Sequence, residues 1–375
     1  MYKLLKGGKC FSPIYIGKKD ILIACGKICK VDDNISKESL GTIFDTEVIN
    51  CSGKIVCPGF IDQHVHITGG GGEQGPGSKI RELELPDIVK AGVCTVVGVL
   101  GTDSMSRSIG ELLTKALALN EEGITAYIYT GNYNIPTQTL TGSIKKDLTY
   151  IDRIIGLGEI AISDYRSSHP SLQTLKELAA EVIVGSLLGQ KPGIMHMHVG
   201  DGKDGIGLLF QLIEESDFPI EMFVPTHINR NKDLFRQGFE YLKMGGNIDL
   251  TAGETSETRY SVSDALEMLF GEGINTHKIS VSSDGNGSIP EYGHSTSDVC
   301  KVVQLYKDIR TCIVDKNLNI EQVLKTVTLN VANILKLYPE KGLIAEGSDA
   351  DILIIDENEF NINKVIAKGQ ILMDI

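Results

Sequence analysis

Two histidines one residue apart, His64 and His66, follow Pro58-Gly-Phe-Ile-Asp-Gln. Side chains two apart on a strand leave the same face. Two imidazoles side by side in a packed interior are hard to satisfy without a metal ion; on an edge strand they would simply face water. A second pair, His196 and His198, stands in the apolar run 194–199. His227 lies in Pro225-Thr-His-Ile-Asn-Arg, and Asp284 in Ser282-Ser-Asp-Gly-Asn-Gly-Ser. Nitrogen and carboxylate ligands without thiolate suit zinc, with manganese, iron or nickel as alternatives. A bound ion lowers the pKa of its water to about 7 and so makes a nucleophile. Two ions could share a bridging hydroxide. Asp284 would take the proton of that water and pass it to a leaving amine. His196, one pleat deeper than His198, is a core or supporting residue. His169, His277 and His294 read as solvent-facing or supporting residues.

These residues need a frame. Eight strand-like runs, at 60–66, 95–100, 125–130, 160–163, 194–199, 222–227, 248–251 and 279–283, alternate with helical patterns. The clearest helical stretches are 111–120, 172–189 and 234–242. Eight β/α alternations predict an α/β fold, a closed (β/α)8 TIM barrel. His64, His66, His198, His227 and Asp284 then end their strands at one mouth, where active sites of that fold sit. Helices at 299–314 and 320–337 follow. Short strands with turn residues fill both ends of the chain. They predict one small β-sandwich domain formed by both termini, 1–57 with 341–375, around a barrel of 58–340. The glycine-rich stretch Gly69–Gly77 follows the first barrel strand. No Lys-Ser/Thr comes after it at phosphate-loop spacing, so it reads as a substrate loop.

Composition narrows the rest. Of 375 residues, 42% are hydrophobic, enough for a large core. The net charge is −13 and no Lys/Arg run breaks it, which argues against nucleic acid. An anionic substrate must be held by a few local cations. No apolar run is long enough for a membrane span, and no signal peptide is expected. Eight cysteines without a CxxC pair suit reduced thiols and a cytoplasmic protein.

The HxH after Pro-Gly-Phe-Ile-Asp, the single His residues, Asp284 and the ending Gly347-Ser-Asp-Ala-Asp-Ile-Leu-Ile resemble the amidohydrolase superfamily. More specifically, three segments resemble the isoaspartyl dipeptidase (β-aspartyl peptidase) family: His64-Val-His-Ile-Thr-Gly-Gly-Gly-Gly-Glu, Thr226-His-Ile-Asn-Arg-Asn and Ser282-Ser-Asp-Gly-Asn-Gly-Ser. Further matches run in order over nearly the whole chain. The resemblance implies a zinc metallo-dipeptidase that cleaves dipeptides linked through the aspartate side chain, and a homo-oligomer, an octamer in particular. It implies that His64 and His66 hold one of two zinc ions and His198 and His227 the other. Asp284 would complete the first site and act as general acid/base. Glu73 would meet the substrate's α-ammonium, and Thr102, Arg166, Arg230 and Ser288 its carboxylates. Tyr133 would hydrogen-bond the scissile carbonyl as charge develops on it. One acid and two arginines do complement a dipeptide with one ammonium and two carboxylates. By residue type alone, Arg166 could equally make a surface salt bridge, and Arg230 could equally support another residue.

The chain departs from that family at one ligand. A carboxylated lysine ordinarily bridges the two metals at the end of strand four; the matching position here is Glu159. Glutamate is shorter, by up to about 4 Å at ~1.5 Å per bond. Glu159 could bridge two metals, the preferred reading. The bridge could be lost, leaving one tight metal. Or a residue inserted at Gly158 could turn Glu159 elsewhere. Two other functions stay open: an amidohydrolase acting on a cyclic amide or N-acyl substrate, and a non-catalytic metal- or ligand-binding relative.

Overall fold

The structure is a computed structural model that describes residues 2–38, 45–254, 257–288 and 299–375. His294 therefore lies outside the described residues. The chain opens with β1 (Tyr2–Phe11), β2 (Tyr15–Ala24), β3 (Lys27–Asp32), β4 (Thr46–Asn50) and β5 (Lys54–Pro58). The β2–β3 hairpin turns on Cys25 and Gly26, both at positive φ, as a two-residue turn requires. Strand β1 was not foreseen. Gly7 and Gly8 interrupt its alternation, and its register shifts between Leu5 and Gly8. Its first half pairs with β4 and its second with β5.

The middle of the chain supplies β6 (Phe60–Val65), β7 (Val93–Gly98), β8 (Thr125–Thr130), β9 (Ile154–Ile162), β10 (Ile194–Val199) and β11 (Phe223–Thr226). They form one parallel sheet in chain order. Next come β12 (Ile248–Thr251) and β13 (Ile279–Ser282), a second parallel pair. Backbone hydrogen bonds join the pair to the larger sheet on both sides. Ile228 N donates to Asp249 O at 3.2 Å, and His66 N donates to Gly285 O at 2.9 Å. Helices alternate with these strands, an arrangement of TIM-barrel type. Most helices start on a capped residue: Ser108, Ser171, Asn231 and Ser261 each accept a backbone N–H three residues on.

The chain closes with β14 (Ile352–Asp356), β15 (Ile362–Ala367) and β16 (Gln370–Asp374). β15 and β16 form a hairpin, turned at Lys368 and Gly369 with positive φ at both. β14 pairs with β5, so the two ends of the chain meet. Pairing runs through all eight terminal strands as one sheet, where the sequence reading expected the two sheets of a sandwich. Ile352 and Ile354 face a small core with Leu5, Ile21 and Val56. Leu353 and Ile355 point the other way and pack with Phe60 and Val93 of the α/β body.

Two helices also differ from expectation. The stretch 299–314 is helical from Val303 to Arg310 and then passes into a wider π turn, Thr311–Asp315. The stretch 320–337 is two helices, Ile320–Lys325 and Leu329–Ile334. Between them Thr326 O accepts from Val281 N at 3.0 Å, and Val327 O accepts from Ile61 N at 2.8 Å. A continuous helix would have used those carbonyls internally. The second helix packs Val331, Ala332 and Leu335 under the strands, against Ile61, Val97 and Val224. No helix among the described residues is long and apolar enough to cross a membrane.

Candidate active site

Opposite that apolar floor, at the C-terminal ends of the strands, the sequence-predicted residues converge. His64 lies on β6, with His66 just beyond it; Glu159 lies on β9 and His198 on β10; His227 follows β11 and Asp284 follows β13. All six are buried. His227 and Asp284 hold positive φ, 64° and 50°, a strained conformation for residues with a side chain that is common at functional sites. His169 and His277 are exposed and stand apart.

The candidate ligand atoms sit close together. Asp284 Oδ1 is 3.3 Å from His64 Nε2 and 3.2 Å from His66 Nε2. Glu159 Oε1 is 3.5 Å from His64 Nε2, 3.6 Å from His227 Nε2 and 2.9 Å from His198 Nδ1. Its Oε2 is 3.8 Å from His66 Nε2. Two groups have the spacing of metal ligands: His64, His66 and Asp284, and His64, Glu159 and His227. His198 joins the second by hydrogen-bonding distances, its Nδ1 being 3.0 Å from His227 Nε2. Among the described residues, three buried polar atoms of the candidate ligand set have no hydrogen-bond partner: His64 Nε2, His66 Nδ1 and Glu159 Oε2. A buried unpaired polar atom costs about 1–3 kcal/mol. His64 Nε2 and Glu159 Oε2 both lie within the ligand groups, and a cation there would satisfy them. This nitrogen and oxygen donor set fits divalent ions such as zinc.

Charge agrees with this. Burial would raise the Glu159 carboxyl, but His64, His198 and His227 hold it well below the usual range. Burial would likewise raise Asp284, and hydrogen bonds from His64 and His66 keep it well below. Burial pulls His64 down, but Glu159 and Asp284 lift it to about 9. Burial, with His64 beside it, keeps the His196 ring far below its ordinary value.

Glu159 reaches this centre because β9 is irregular. Met195 pairs with Leu157 and Met197 with Ile160, so Gly158 and Glu159 together oppose His196. One residue is inserted, a β-bulge, which re-aims the side chain beside it. With this bulge, Glu159 stands in among the histidines, not away from them. A Cβ at position 158 would lie 2.9 Å from the Cβ of His196, which is why glycine stands there.

The substrate-side residues line one cavity with His66, His198 and Asp284. Glu73 Oε1 accepts from Thr102 Oγ1 at 2.8 Å and Ser288 Oγ at 2.7 Å, with Arg166 Nη1 at 3.5 Å. The loop that carries Glu73 needs its glycines: Gly69 has φ 81°, and a Cβ there would strike Ile80 O at 2.2 Å. Tyr133 Oη is 2.7 Å from His198 Nδ1. Arg230 Nε is 3.5 Å from Glu254 Oε1.

The Amidohydrolase family model matches residues 240–372. The β-aspartyl dipeptidase of Fervidobacterium islandicum AW-1 is 42% identical in a structure matched over 100% of this chain and 97% of that one, with a TM-score of 0.92. The chain belongs to the β-aspartyl dipeptidase family of amidohydrolases. A second structure of that dipeptidase, in complex with the β-Asp-Leu dipeptide, matches at 42% identity and a TM-score of 0.93, over 100% of this chain and 96% of the other. A dihydroorotase of Aquifex aeolicus is 40% identical over 82 residues, which span 22% of this chain and 16% of that protein.

Within this dipeptidase-family site, several residues had gone unnoticed in the sequence. Asp164 grips Arg166 twice, at 3.0 Å from Nε and 2.7 Å from Nη2, and meets His198 Nε2 at 2.9 Å. The spacing Asp164-Tyr-Arg166 was the available signal. Asp249, fully buried, accepts from Gln63 Nε2 at 2.9 Å, Ser280 Oγ at 2.7 Å and Thr226 Oγ1 at 2.7 Å. It ties four strands together beneath the ligands. Glu254 pairs with Arg230 and Arg259, and no local pattern announces it.

Proposed function

We propose that this chain is a zinc metallo-dipeptidase that hydrolyses β-aspartyl dipeptides with two zinc ions. One observation carries the reading: four histidines and two carboxylates converge, buried, beside Glu73, Arg166 and Arg230, in a chain of this dipeptidase family. His64, His66 and Asp284 would hold one ion and His198 and His227 the other, with Glu159 reaching both. When bound, the ions supply an acidified water and polarise the scissile carbonyl. Glu73 takes the substrate's α-ammonium in place of its contacts with Thr102 and Ser288. Those two hydroxyls, Arg166 and Arg230 bind the carboxylates. Tyr133 donates to the carbonyl oxygen as negative charge grows there. Asp284 accepts the proton of the attacking water and delivers it to the leaving nitrogen.

The same reading treats the eight parallel strands as a closed barrel of residues 58–340, beside a small β domain of 1–57 and 341–375. The links at Asp249 and Gly285 support closure. Eight free cysteines support a cytoplasmic setting. Assembly as a homo-oligomer, an octamer, rests on the family resemblance.

The competing reading is a cyclic-amide amidohydrolase, favoured by the dihydroorotase match. Hydrolysis of β-aspartyl-leucine, α-aspartyl-leucine and dihydroorotate, compared by kcat/KM, separates the two. The β-linked dipeptide should be preferred by about 100-fold or more, because the others do not bring an ammonium to Glu73 and carboxylates to Arg166 and Arg230 together. Equal or greater activity on dihydroorotate would overturn the assignment.

A further inference from the structure

His196 belongs to no ligand group among the described residues, yet it is fully buried in the centre of the site. Its Nε2 is 2.8 Å from His64 Nδ1. The other nitrogen of His64, Nε2, faces Asp284 and Glu159. An imidazole that offers Nε2 to a metal carries its proton on Nδ1, and that N–H needs an acceptor. Such acceptors are usually a carboxylate or a backbone carbonyl. At His64 the neighbour at hydrogen-bonding distance from Nδ1, among the described residues, is another imidazole. We propose that His196 is a positioning residue that fixes the ring and tautomer of His64.

Three observations hold His196 in that role. The Tyr129 ring stacks on it, with centroids 5.2 Å apart and planes at 21°. Gly158 approaches so closely that any side chain there would meet the His196 Cβ. Its Nδ1 has no hydrogen-bond partner among the described residues, which leaves the bond to His64 as the ring's polar contact. A neutral acceptor also adds no further negative charge to a centre that already holds Glu159 and Asp284.

This inference rests on the metallo-dipeptidase reading. It is tested with His196→Gln, His196→Asn and His196→Leu. A glutamine carbonyl reaches the depth of Nε2; an asparagine carbonyl reaches only that of Nδ1; leucine offers no acceptor. The readouts are zinc retained against graded chelator, measured by elemental analysis, and kcat and KM at saturating zinc, on protein with wild-type circular dichroism. Asn and Leu should weaken zinc retention by about 10–100-fold and lower kcat, with KM within about twofold; Gln should stay within a few-fold of wild type. Should Leu fail to fold, the Gln–Asn contrast decides alone. Equal losses in Gln and Asn, or no loss in either, would overturn the role of His196 while leaving the dipeptidase reading intact. Wild-type protein that holds no metal would overturn both.

Discussion

β9 and β10 lie side by side and present the two ends of the same site, but they are built differently. In β10 every residue alternates. Met195, Met197 and Val199 enter the outer core, while His196 and His198 face inward. In β9 the register shifts twice, against Tyr129 and against His196. Gly156 and Gly158 sit at the two shifts, where a Cβ would collide with Ile194 O or with His196. The regular strand delivers its ligand by periodicity alone. The bulged strand delivers a short carboxylate to a place that periodicity would not reach.

Removing the irregularity is the strongest way to break this contrast. Deleting Gly158 restores alternation: Glu159 would stand alone opposite His196, without the bend of the bulge that re-aims its carboxylate. The deletion should abolish bound metal above one per chain and lower kcat/KM by about 10³ or more, since ligand and bridge are lost together. Elemental analysis and β-aspartyl-leucine kinetics would show this. Full metal and rate in the deletion would mean that the bulge does not aim Glu159.

A smaller effect is expected just beyond the end of β9. Arg166 grips Asp164 through two parallel bonds, which lysine cannot reproduce. Arg166→Lys should raise KM by about tenfold, roughly 1.4 kcal/mol, with kcat less affected. An unchanged KM would remove Arg166 from the carboxylate-binding set.

The smallest effect sharpens the comparison with β6, which also carries register shifts. Burial pushes the Asp62 carboxyl up from 3.8 to about 7. The folded chain keeps that proton up to about pH 7, whereas the unfolded chain loses it near pH 4. Between those values the unfolded state binds fewer protons, so this group's contribution to stability falls as pH rises. Asp62→Asn should remove that loss. The variant should melt about 2–4 °C higher relative to wild type at pH 8 than at pH 4. A difference independent of pH would show that Asp62 ionises normally.

The same contrast explains what could be read from the chain. β8, β10 and β12 match their expected bounds residue for residue, because nothing interrupts their apolar runs. The histidines and Asp284 were legible because few other arrangements put those types at matching strand ends. β1 and most of β9 were not, since paired or alternate glycines break the period that signals a strand. Asp249, Glu254 and Asp164 are chemically ordinary acids. Their roles come from partners that no local pattern reveals, such as Gln63, far along the chain, for Asp249 and Arg230 for Glu254.

As proposed above, the bulge would let Glu159 bridge two metal ions without a longer, modified lysine. Metal per chain in the purified, active wild-type enzyme, beside Glu159→Gln, tests it most directly. Two zinc ions per wild-type chain are expected, without added bicarbonate, and fewer than two with a large loss of rate in Glu159→Gln. Fewer than two ions in the active wild type, or a Glu159→Gln enzyme with full metal and full rate, would contradict it.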